Sequence, residues 1–197
     1  YHPAAPSAAE RALGFEDADD FEFIEIRNRG SVAVDLAGYR FVDGIEFVFD
    51  AQRSWVVEPG EVVVLASDRA AFLARYRSHA SPVGEYSGRL ANGGERIEWV
   101  DAHGAVVGVI EYDDRSPWPR EADGQGPSLV FTGGPDDAGN PAQWTAGPVG
   151  GTPGSIHRVM EWTAAVWEGG MLRLRFRGAP GARYQIQFSS RHGPMAE

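Results

Sequence analysis

Gly84-Glu-Tyr-Ser-Gly-Arg-Leu-Ala-Asn-Gly-Gly-Glu95 opens the stretch whose reading decides the fold. An apolar strand pattern follows, Val106-Val-Gly-Val-Ile-Glu-Tyr-Asp-Asp114, and then Trp118-Pro119 and Ala122-Asp-Gly-Gln-Gly-Pro-Ser-Leu129. The run closes on Asn140-Pro-Ala-Gln-Trp144 and Gly150-Gly-Thr-Pro-Gly-Ser155. Short β-branched or aromatic runs separated by Gly, Pro, Asn and Asp indicate strands joined by turns. Upstream the same pattern holds in Phe21 to Ile26, Tyr39 to Val42, Ile45 to Phe49 and Val62 to Ala66, and downstream in Arg96 to Val100 and Val106 to Tyr112. Six to eight such strands predict an all-β, antiparallel sandwich. Asp43-Gly44 predicts a tight hairpin, because Gly accepts positive φ, and Ala102-His-Gly104 predicts a second one. One short helix is expected at Asp68 to Tyr76, capped by Ser67 or Asp68, with Phe72, Leu73 and Tyr76 on one side.

The phrases agree in order as well as in kind. With Phe23-Ile-Glu-Ile-Arg-Asn28, Val34-Asp-Leu-Ala-Gly-Tyr39 and Glu58-Pro-Gly-Glu-Val-Val-Val-Leu-Ala66 added, residues 1 to 155 resemble a lamin-tail domain of the bacterial, exported kind. The resemblance implies an immunoglobulin-like β-sandwich and a binding or spacer role in place of catalysis. It also implies an extracellular or cell-surface location, a protein or cell-surface component as partner, and neighbouring domains in a multidomain protein. It makes Tyr1-His-Pro3 the close of a first strand, with a sheet edge left bare beside it, and makes His2 a hydrogen-bonded structural residue.

After Ser155 the character changes. Met171-Leu-Arg-Leu-Arg-Phe-Arg177 alternates apolar and Arg, and Tyr184-Gln-Ile-Gln-Phe188 alternates apolar and Gln, with Ala179-Pro-Gly181 as the turn between them. Residues 156–197 are therefore expected to form a β-rich segment with a hairpin, either the start of a second domain or an appendage with Val159 to Val166 as a third strand.

Composition narrows the classes of function. A chain of 197 residues, 43% hydrophobic, is long enough for a buried core. No apolar run approaches the roughly 20 residues of a membrane-spanning helix, so no membrane insertion is expected. There is no cysteine, and every basic residue is arginine. Residues 1–154 carry 25 acidic and 12 basic side chains, net −13, against net +3 for 155–197. A field of that sign repels phosphate backbones and anionic lipid, which argues against nucleic acid and membrane surfaces as partners.

Clustered loop carboxylates supply the oxygens a hard cation wants, which makes Asp17, Asp19, Asp20 and Asp123 candidate calcium ligands. The plainer reading is solvated charge and element caps, since no Asp-x-Asp-x-Asp-Gly loop with a closing Glu is present. Asp113-Asp114 and Asp136-Asp137 sit in comparable loops. Trp118, held between Pro117 and Pro119, is a candidate contact for carbohydrate or peptide; the plainer reading is a loop anchor buried on the sandwich. A calcium-assisted carbohydrate- or peptide-binding module is thus the alternative to a non-catalytic spacer. Enzymatic signatures fail: Gly84-Glu-Tyr-Ser-Gly88 misses the nucleophile elbow and its strand-to-helix setting, and Gly147 to Gly154 has no Lys and no following helix.

Overall fold

The computed structural model describes residues 1–76, 80–134, 137–154, 161–168 and 171–177. The described residues hold thirteen strands: β1 Phe23–Arg27, β2 Val34–Asp35, β3 Arg40–Asp43, β4 Phe47–Val48, β5 Val56–Val57, β6 Val62–Ala66, β7 Gly84–Glu85, β8 Gly94–Val100, β9 Val106–Asp113, β10 Leu129–Phe131, β11 Trp144–Ala146, β12 Glu161–Glu168 and β13 Met171–Arg177. Two compact units divide them, Tyr1–Ile156 and His157–Glu197.

The first unit is an immunoglobulin-like β-sandwich. One sheet runs β4-β3-β8-β9 and the other β1-β6-β7. Phe41 and Ile97 from the first sheet and Val63 and Leu65 from the second bury their side chains in one cluster with Phe49, Tyr86, Leu90 and Tyr112. Strand β6 explains the layering. Its Val63 and Leu65 face that cluster, while Val64 and Ala66, on the opposite parity, pack with Phe72 in a second one. A strand buried on both faces needs a cover on each side; helix α2, Arg69–Tyr76, supplies the outer one. Asp68 caps α2 through its side chain, which accepts from the Ala71 N–H at 2.8 Å.

Several features depart from the expectations. Strands β6 and β7 pair in parallel, Leu65 opposite Gly84, within an otherwise antiparallel pair of sheets. A second helix, α1 Ala8–Ala12, joins the expected one. Its N-terminus is a capping box, with Ser7 Oγ accepting from Glu10 N at 3.3 Å and Glu10 Oε2 accepting from Ser7 N at 2.7 Å. Tyr1-His-Pro3 forms no strand.

Asp43-Gly44 does not make a two-residue hairpin. Phe41 pairs with Phe47, so the connection is longer, and β3 continues along β8 through a bulge. The reason is burial: Ile45 enters the core, and Glu46 exchanges two backbone hydrogen bonds of 2.9 Å with Ser87. Gly44 is still required, with φ +82° and with Arg96 O and Ile97 Cγ1 each 3.0 Å from where a β-carbon would stand. The β8–β9 hairpin forms as predicted, with Asp101 Oδ1 accepting from both His103 N and Ala105 N at 2.8 Å.

In the second unit β13 occupies the predicted Met171–Arg177, and its antiparallel partner is β12. The expected strand Tyr184 to Phe188 and the turn before it lie outside the described residues.

Candidate functional site

Local geometry sorts the predicted acidic residues into two places. Asp17 is the N-cap of a single 3-10 turn, Ala18–Phe21, and accepts from Asp19 N. The Arg89 guanidinium, reaching in from the segment between β7 and β8, lies 2.7 Å from both Asp17 Oδ2 and Asp19 Oδ2. That contact, followed by the Asp19 amide, holds the Asp17 carboxyl below its ordinary range. A fixed cation already stands where Asp17 and Asp19 converge. Asp20 lies in the same turn, half-buried.

Asp123 is elsewhere. It closes the 3-10 turn Arg120–Ala122, and its Oδ1 meets His2 Nδ1. The backbone reinforces the pair, since Gly124 N donates to His2 O at 2.9 Å. His2 has φ +36°, a left-handed conformation rare for a residue with a side chain. His2 is therefore a hydrogen-bonded residue tying the N-terminal segment to the 120s loop. Among the described residues no group of three or more His, Asp or Glu side chains is placed to hold a metal ion.

Trp118 is 7% exposed. Its ring lies 5.8 Å from that of Trp144, which in turn lies 4.9 Å from Phe131. Arg29 extends the row, with its guanidinium 5.5 Å from the Phe131 ring and a hydrogen bond to Gly133 O. Trp144 Nε1 donates to Ala138 O at 2.9 Å. This aromatic seam fastens the segment between β9 and β10 and the β10–β11 pair to the core cluster, so Trp118 acts as the anchor and does not offer an open ring face. Replacing Trp118 with Phe should cost about 1–2 kcal/mol in urea unfolding, the size of a shape change in a packed site. An exposed ligand platform would lose nothing in that measurement.

A residue absent from the sequence candidates is the most constrained of all. Glu22 is fully buried. Its Oε2 accepts from Leu90 N at 2.9 Å and from the Tyr86 hydroxyl at 3.3 Å, while Oε1 has no partner among the described residues. Burial pushes its carboxyl up to about 7 against the opposing pull of the Leu90 amide. The sequence did carry a signal: Glu22 shares parity with Ile24 and Ile26, both packed on the core. Alongside, Tyr112 Oη lies 2.9 Å from Glu95 Oε1 and 2.8 Å from Ala91 O, and Ala91 N donates to Glu95 Oε1 at 2.7 Å. The 86–95 segment is thus pinned from inside by Glu22 and Glu95, and from outside by Arg89. None of these groups has beside it the nucleophile, base and orienting partner that a catalytic constellation needs.

Residues 2–114 match the family described as the Lamin Tail Domain. No curated protein and no solved structure matches the chain.

Proposed function

This chain belongs to the lamin tail domain family, and from that premise we propose that it is a non-catalytic interaction or spacer module of an exported or cell-surface bacterial multidomain protein. The family is one of structural domains. The observation that favours the reading here is the occupation of the loop side chains. Asp17 and Asp19 are held by Arg89, Asp123 by His2, and Trp118 by Trp144. Loops fastened in this way make a body that transmits position without rearranging, as a spacer must. The acidic surface of residues 1–154 keeps such a body soluble and discourages association with anionic polymers. Export and the surface location follow the bacterial members that the sequence resembles, and the partner is a protein or cell-surface component.

Exchange of the module separates the two halves of this reading. In the full-length protein, residues 1–156 are replaced by an unrelated sandwich with the same separation of termini. Retained function of the neighbouring domains is expected of a spacer, loss of partner binding is expected of an interaction module, and catalytic loss with a small substrate would overturn both.

Metal dependence provides a second measurement. Thermal midpoints with excess calcium and with a chelator are expected to coincide, because the Arg89 guanidinium already bridges Asp17 and Asp19 and occupies the point where their oxygens converge. A calcium site saturated about 100-fold above its dissociation constant would raise stability by roughly 2.7 kcal/mol, a shift of about 5–11 °C for a chain of this size. Such a shift would restore the calcium-assisted binding module, with its ligands to be sought separately at the Asp17–Asp20 turn and at Asp123.

A further inference from the structure

The chain has three asparagines, and their surroundings differ sharply. Asn28 is buried, its amide nitrogen donating to Val32 O and Val57 O at 2.8 Å and its oxygen accepting from Gly30 N. Asn140 precedes Pro141, which has no N–H, and its side chain accepts from Ala142 N. Asn92 is exposed and is followed by Gly93. Around Gly93 there is open space, with no atom within 4 Å of where a β-carbon would stand. Among the described residues no hydrogen bond engages the Asn92 side chain or the Gly93 N–H, although the turn around them is closed by Gly94 N donating to Ala91 O at 3.1 Å.

We propose that Asn92–Gly93 is a site of spontaneous covalent modification, at which Asn92 is converted through a cyclic imide to aspartate and isoaspartate. Solvent base removes the Gly93 amide proton, and the nitrogen attacks Asn92 Cγ. The N–Cγ bond forms, the bond from Cγ to the side-chain nitrogen breaks, and ammonia leaves with the proton returned to it. Water then opens the imide at either carbonyl, so the net change is one water in and one ammonia out, with no oxidation. Glycine is the successor this chemistry favours, because it presents no side chain to the attacking geometry. The two Asp-Gly steps lack the same opportunity. Asp43 is bound to Arg96 and Asp123 to His2 as carboxylates, which are poor acceptors for such an attack.

The position gives the change a consequence. Leu90 and Ala91 are fixed by Glu22 and Glu95, and Gly94 lies tight against Tyr112 and Asp113, so the reaction falls on the free tip of a clamped turn. It adds a negative charge near Glu95, and the isoaspartate form adds a backbone atom within the Ala91–Gly94 turn.

The flanking Arg89 and Arg96 make the test direct, since trypsin releases Leu90–Arg96 as one peptide. The intact chain is incubated at neutral and mildly alkaline pH, digested and weighed. The 90–96 peptide is expected to gain the mass of an amide-to-acid exchange and to separate into two acidic isomers, faster at the higher pH. The peptides carrying Asn28 and Asn140 are expected to stay unchanged. Gly93→Ala should slow the conversion severalfold, and Asn92→Gln should abolish it. If the folded chain keeps its Asn92 amide while the free 90–96 peptide converts, the turn holds the group out of reach and the proposal fails. Equal conversion at all three asparagines would also overturn it, because the selectivity would then not come from this turn.

Discussion

Replacing Phe49 with alanine is expected to cost about 3–5 kcal/mol in urea unfolding, the range for emptying an aromatic site in a packed core. Phe49 has no exposed surface. Its ring meets Phe47 edge-on at 4.9 Å and Trp55 edge-on at 5.4 Å. Its backbone is equally engaged: Phe49 N donates to Tyr39 O at 2.9 Å, and Phe49 O accepts from Gly38 N at 2.8 Å. The neighbours therefore cannot collapse into the space without breaking the turn that begins β3. Against a total stability of about 5–15 kcal/mol the loss is a large fraction, and the thermal midpoint should fall by roughly 6–20 °C. Phe49→Leu, which keeps most of the volume, should lose clearly less. A loss below about 1 kcal/mol for the alanine variant would mean that the site collapses freely, and that this core is not held as the backbone contacts indicate.

The contrast between Phe49 and its neighbours shows what the sequence made legible. Strands β6 and β9 lie within a residue of their predicted ends, because each is a β-branched, apolar run bounded by turn residues, although neither buries its side chains in strict alternation. The two-residue strands β2, β5 and β7 were invisible, since two residues carry no period. Asp43-Gly44 misled for a tertiary reason: Ile45 is drawn into the core and Glu46 onto Ser87, which lengthens a turn that local chemistry would have kept tight. Helix α1 announced itself in Ser7-Ala-Ala-Glu10, a capping box set before too few apolar residues to register as a helix. At the candidate site, the carboxylates were legible as clusters but their partners were not. Arg89 lies 72 residues from Asp17, and His2 lies 121 from Asp123, so each pairing is decided by topology. Trp118 was readable as a choice between anchor and platform, and packing against Trp144 decided it.

Stability should fall as pH rises from about 4.5 to 7, and Glu22→Gln should remove about half of that fall, because desolvation raises the Glu25 carboxyl to about 7 as well and it titrates in the same window. The Glu22 carboxyl has an ordinary value of 4.5 and is raised by burial to about 7. Between those values the folded chain holds a proton that the unfolded chain has released, so raising the pH favours unfolding; above 7 the penalty is complete and constant. The full effect is on the order of 3 kcal/mol, which treats the whole shift as folding energy. Asp19 faces the same carboxyl and strengthens its preference for the neutral form, while the Leu90 amide and the Tyr86 hydroxyl favour the ion. Glutamine can accept from Leu90 N and Tyr86 as Oε2 does, and it carries no charge to desolvate. The variant should therefore be more stable than the parent at pH 8 and nearly equal to it at pH 4.5. Glu10 acts in the opposite sense. Its hydrogen bonds with Arg75, at 2.8 and 3.1 Å, lower it to about 2, so its contribution is present above 4.5 and is lost as pH falls toward 2. The two slopes place the stability maximum of the parent near pH 4.5 to 5. Urea midpoints measured from pH 3 to 8 on both chains test the assignment. Parallel profiles across 4.5 to 7 would mean that Glu22 does not titrate there, and that its unpartnered oxygen is compensated in a way its surroundings do not show.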